Sequence, residues 1–259
     1  MQIDIDVVLE YELCVGETVL LILEAAETDG QSIASASLEI PDATLQRIDG
    51  EGLVGQRVWA SVPDRLFKLR YRALVDVTRE IIALDSLDAS PLTSIPSHIV
   101  TYLRPSRFCQ SDLFIDFVAQ SFGELSGGAK IAAIKDWVAR EISYVPGSSN
   151  ATTTATDTFA AQAGVCRDFA HVVCSLARAA NIPARYASVY GVGVQPPDFH
   201  AVAQVWLSGA WHLVDATGMS APNDVAVIAV GRDAAEVAFM ETQQWAQPIW
   251  QSVSVSRAN

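Results

Sequence analysis

The chain has 259 residues, half of them hydrophobic, with 17 basic against 30 acidic side chains and a net charge of −13. That suffices for one large or two modest domains with a buried core, and it excludes a disordered chain. Phosphate is bound by clustered Lys and Arg, so the acidic balance disfavours nucleic acid and anionic membrane as partners. There is no apolar run of membrane-spanning length, no basic leader before an apolar stretch, and no dense framework among cysteines 14, 109, 166 and 174; a cytoplasmic chain with free thiols is expected.

In chain order, the first ninety residues read as strands. Every odd position from Ile3 to Leu13 is apolar, the period-two mark of a strand with one buried face. TVLLILEAA follows, then Ala34, Ala36, Leu38 and Ile40 alternate, and Phe67, Leu69, Tyr71, Ala73, Val75 and Val77 repeat the pattern. Gly and Asp clusters supply turns, and the spacing predicts an antiparallel sandwich over 1–90. Proline and serine then mark a linker from about residue 88. Helices are predicted over 113–122, 130–142 and 158–163, with a polar loop before the last. After a helix opening at Cys166, strands are predicted at 185–192, 200–207, 211–216 and 225–230. The segment 231–239 reads as a short helix or turn, and 249–256 as a last strand, so that 91–259 forms the second unit.

The helix at Cys166 is the best marked. Phe169, Val172, Val173, Leu176, Ala177 and Ala180 form one apolar stripe at helical spacing, and Asn181 and Pro183 end it. Gly164 lets the chain turn before it. Cys166 then stands at the helix N-terminus, where unpaired N–H groups and the dipole favour a thiolate, the nucleophilic form. Asp168 in the first turn is favoured by the same dipole. Cys174, mid-helix, reads as core.

DFHAVAQVWLSGAWHLVDAT, residues 198–217, reads as a hairpin. With Ser208-Gly209 as a two-residue turn, Leu207 faces Ala210 and Asp215 falls opposite Val202. His200 and Asp215 then share a face, within reach of a hydrogen bond; a three-residue loop would separate them. Cys166, His200 and Asp215 thus form a candidate nucleophile, proton shuttle and orienting carboxylate.

Together with YLRPSRFCQSD, the Cys166 segment and this hairpin resemble the transglutaminase-like superfamily, in its bacterial cysteine-protease branch, over residues 100–230. The resemblance implies that the Cys of GVC, the His of FHA and the Asp of VDAT, here Cys166, His200 and Asp215, form the catalytic triad. It implies an α+β fold: a papain-like core, a helix packed on an antiparallel sheet, here preceded by the β domain. Two positions depart from the family pattern: Val202 stands where Trp is frequent, and Gln204 where an acidic residue is common.

The expected activity is thiol-dependent hydrolysis of an amide or peptide bond in a peptide or protein substrate, without metal or cofactor. Transfer of a glutamine acyl group to an amine, and a non-catalytic peptide-binding module, are the alternatives. The N–H of Cys166 is one oxyanion donor; a second is not assigned, Gln162 being the candidate. His171 is expected on the surface or behind the site, His212, Trp206 and Trp211 as structural, His98 without a partner. Arg185 and Tyr186 line the cleft or tie the helix to the sheet. Loop 147–158 is a candidate flap.

Overall fold

The inward-facing odd residues of the first strand line the core of a two-sheet sandwich. A computed structural model describes residues 1–258. Strands β1 (Gln2–Leu13), β2 (Glu17–Leu21), β3 (Gln31–Glu39), β4 (Thr44–Asp49), β5 (Gln56–Val62) and β6 (Leu66–Val77) come first. Ile3, Ile5, Val7 and Leu9 of β1 and Phe67, Leu69 and Tyr71 of β6 bury against Val19, Leu21, Val58 and Ala60 of the facing sheet. The outer faces carry exposed ion pairs such as Arg70–Asp6 and Arg65–Glu12, which solvent screens.

The alternation read in β3 slips. A register shift between Ile33 and Ser35 leaves Ala34 as the extra residue, and Ala36 and Leu38 pair with the inward Ala73 and Tyr71. A bulge of this kind is common on an edge strand, and β3 is the edge of its sheet.

The linker makes short turns and α1 (Ser97–Val100), then come α2 (Ile115–Phe122), α3 (Gly127–Glu141), β7 (Ser143–Tyr144), α4 (Ala155–Ala161) and β8 (Ala163–Gly164). The predicted helices are present, α4 three residues earlier than expected because Thr154 caps it reciprocally with Asp157. Helix α5 (Cys166–Ala179) leads to β9 (Ala184–Gly191), β10 (His200–Leu207), β11 (Ala210–Val214) and β12 (Val225–Gly231), in the sheet order β11-β10-β9-β12.

One face of this sheet, with Ala184, Ala203 and Val205, packs in the same cluster as Phe169, Val172, Val173 and Leu176 of α5. The other face, with Ala187, Val189, Val202 and Val227, meets Ala26 and Val54 of the sandwich. Gln31 joins the two: its side chain bonds the carbonyls of Ala26 and Val227 and accepts from Val227 N–H.

The expected boundary at 91–259 does not hold at its far end. The tail forms β13 (Met240–Thr242) and β14 (Ala246–Arg257), and these join the sandwich. β14 pairs with β1 from Ile3↔Arg257 to Leu13↔Ala246, and β13 pairs with β2. β1 offers β14 an edge of equal length, 12 residues each. The segment at 231–239 holds one short turn, Ala234–Glu236.

Candidate active site

Cys166 is placed by the residues before it. β8 pairs in parallel with β7, Tyr144 opposite Gly164. A side chain at 164 would meet the Cβ of Asp168 at 2.7 Å and a methyl of Thr158 at 3.1 Å, so the close turn requires glycine. Val165 is extended, and its N–H donates to Asp168 Oδ2 at 2.8 Å. The helix then opens on Cys166, half-buried at its first position. Asp168 is fully buried and paired with Arg167 at 2.9 Å. Its negative charge, which would oppose a thiolate nearby, is thereby offset.

The hairpin has the predicted register. Leu207 pairs with Ala210 and Ala203 with Val214, around a Ser208-Gly209 turn in which both residues have positive φ. His200 begins β10 and Asp215 follows the end of β11, both at the open end of the hairpin. His200 Nε2 lies 2.9 Å from Asp215 Oδ2. Thr217 N–H and hydroxyl donate to Oδ1 at 2.8 and 2.6 Å, and Ser220 N–H donates to Oδ2. Burial opposes a charge on Asp215, but His200 and Thr217 outweigh it and hold the carboxyl below its usual pKa.

With Nε2 engaged, Nδ1 of His200 is the free ring nitrogen, buried and without a hydrogen-bond partner. Cys166 shares the lining of the same cleft and adds to the charge environment of the ring. Burial favours neutral imidazole, yet the Asp215 carboxylate and Cys166 raise its pKa to about 9. A cleft of about 520 Å³ opens on Cys166 and His200, with a mainly apolar lining that includes Phe108, Tyr186, Phe199 and Phe239.

A family model described as the transglutaminase-like superfamily matches residues 116–216. A solved structure from Cytophaga hutchinsonii, described as a candidate cysteine protease, is 32% identical and superposes with a TM-score of 0.94, covering 100% of this chain and 91% of that one. The chain belongs to the transglutaminase-like superfamily. A further relative, the uncharacterized protein ML0607 of Mycobacterium leprae (strain TN), is 29% identical over 117 residues, 42% of each chain. The match thus spans well under half of that relative's length.

Other residues singled out in this transglutaminase-like chain divide. Tyr186 lines the cleft. Arg185, on the opposite face of β9, donates to Gln204 Oε1 at 2.7 Å and lies 4.2 Å over the Trp211 ring. Gln204, which replaces the frequent acidic residue, thus keeps a hydrogen bond to the arginine but no charge. Gln162 is exposed and left-handed at the end of α4, away from the cleft lining. Loop residue Ala151 touches the cleft, and the Asn150 carbonyl accepts from Arg167 at 2.7 Å.

Of the two places expected for His171, the structure gives the one behind the site, against the cleft residues Phe108 and Tyr186. It is fully buried, stacked 5.3 Å from the Phe108 ring, and its Nε2 accepts from Ala234 N–H. Burial pushes its pKa down to about 3. The segments around 104–110 and 232–235 cover the side of α5 that the apolar stripe leaves open. Arg178 binds there too, to the carbonyls of Ala184, Arg104 and Arg232.

Tyr144 escaped the sequence reading. The β7–β8 bridge sets it beside the segment that leads into Cys166, and burial and the Cys166 charge push its pKa up to about 12. ISYVPG carries no local sign of this, because the bridge joins segments twenty residues apart.

Proposed function

We propose that the protein is a thiol-dependent hydrolase of amide or peptide bonds, with Cys166 as nucleophile, His200 as proton carrier and Asp215 as the group that orients it. The observation that carries this is the His200 ring, bonded to Asp215 through Nε2 and left with a buried, unpartnered Nδ1, in the cleft that Cys166 also lines. An imidazole held in one orientation by a carboxylate, with its second nitrogen kept for a thiol, is what a proton relay needs.

In the forward step the Cys166 thiolate adds to the substrate carbonyl. The imidazolium of His200 gives its Nδ1 proton to the leaving nitrogen, the C–N bond breaks, and an amine departs from a thioester on Cys166. Neutral His200 then takes a proton from water as it attacks the thioester, and the acid and free thiolate are released with His200 protonated again. The N–H of Cys166 and the Tyr144 hydroxyl are the donors available to the oxyanion.

Intact-mass measurement with glutamine-containing peptides and an added primary amine tests the reading. A transient thioester on Cys166 that yields cut or deamidated peptide, and is absent from Cys166→Ala, supports hydrolysis. An amine-exchanged product would move the assignment to acyl transfer. The absence of any adduct across a broad peptide and amide library would leave only a binding role.

A further inference from the structure

The cleft beside Cys166 is electrically uneven. On its helix side, Phe108 is fixed twice: its N–H donates to the buried Asp233 carboxylate at 2.9 Å, and its ring stacks on His171 with an interplanar angle of 15°. The Arg107 guanidinium lies over that ring, 4.9 Å from its centre. Arg107 makes no hydrogen bond or ion pair through its side chain with any of the described residues, in a chain whose acidic groups outnumber its basic ones 30 to 17. The other arginine of the lining, Arg167, is already engaged by Asp168 and by the Asn150 carbonyl.

Between the walls the lining is aromatic and small. Phe199 and Phe239 stack at 4.6 Å, 10° from parallel, next to Tyr186, Ala201 and Val237. The carboxylate of the lining, Glu241, stands on β13, two residues beyond Phe239.

We propose that this cleft selects an extended peptide that lays an apolar side chain on the Tyr186–Phe199–Phe239 surface and sets an acidic side chain on Arg107. The inference rests on reading the cleft as the substrate site. A guanidinium lying against an aromatic ring keeps its N–H edge for an acceptor, and a carboxylate fits that edge with two parallel hydrogen bonds. The ring beneath is itself pinned, so less freedom is lost when the pair forms. A basic side chain at the same place meets repulsion from Arg107 instead.

Peptides sharing one apolar residue and carrying Asp, Asn or Lys at each neighbouring position test this in two ways. Binding to the Cys166→Ala protein is measured by fluorescence anisotropy, and acylation of wild-type Cys166 by intact mass. At one position the Asp peptide should bind about five-fold more tightly than the Lys peptide, and Arg107→Glu should reverse the order. An order blind to charge, or one that Arg107→Glu leaves in place, overturns the proposal. Arg107-dependent binding without any acylation keeps the proposal and removes the hydrolase reading. Acylation indifferent to peptide charge does the opposite.

Discussion

His200 Nε2 and Asp215 Oδ2 lie 2.9 Å apart although fifteen residues separate them in the chain. The two-residue turn at Ser208-Gly209 sets that distance, because it fixes which residues of β10 and β11 lie opposite. Replacing Asp215 by Asn keeps the shape but loses the charge that favours imidazolium. Its amide would also face the Thr217 and Ser220 donors with the wrong polarity on one side. We expect kcat/KM to fall on the order of 10²- to 10⁴-fold, and the His200 pKa, followed by NMR, to drop. Unchanged turnover would detach Asp215 from the mechanism.

The pH dependence follows from the raised pKa of His200. The proposed acid step needs imidazolium, so activity should persist above the ordinary histidine range and fall as pH rises through about 9. The sign for stability is the same. A folded-state pKa above the unfolded value of 6.5 stabilises the fold fully below about 6.5, and the contribution is lost as pH rises through about 9. A kcat/KM profile and a denaturant midpoint series from pH 6 to 10 measure both. An alkaline limb near pH 6.5 would contradict the Asp215–His200–Cys166 coupling.

Tyr144→Phe removes a hydroxyl that the β7–β8 bridge sets near Cys166. If that hydroxyl serves the oxyanion, kcat should fall on the order of 10²-fold with KM nearly unchanged. A purely structural role would instead appear as a lower melting temperature with kcat intact. The two readouts separate the cases.

Gly164→Ala forces a methyl group to within 2.7 Å of the Asp168 Cβ. The turn into α5 must shift, at a cost of about 1–3 kcal/mol, and Cys166 moves with it. Thermal melting should report the first effect, and slower alkylation of Cys166 by iodoacetamide the second. Normal values for both would show that the approach of Gly164 to the helix is not what seats the thiol.

These residues also mark how far the sequence could be read. The mouth of α5, the hairpin register and the inward face of β1 were legible, because each depends on a period or a turn within a few residues. Ala34 was placed on the wrong footing, since a bulge breaks the period without a sequence sign. Sequence alone leaves His171 between the surface and a place behind the site, because one helix displays only one stripe; the segments that cover its other side lie some sixty residues away in both directions. Tyr144 needed the β7–β8 bridge, and the tail needed β1, the first strand of the chain. What was missed is the long-range pairing, which local pattern does not encode.

The seating of β14 against β1 also bears on how the molecule is made. Strand β1 is made long before β14, so one of its two edges lacks its mate until Ala246–Arg257 has been made. In the interval that edge is a template for another nascent chain. Arrested chains ending before Ala246 should therefore recruit holdase chaperones and resist release, while chains arrested beyond Arg257 with a spacer should let go; equal retention of both in a ribosome-display pull-down would show that the gap is masked by other means.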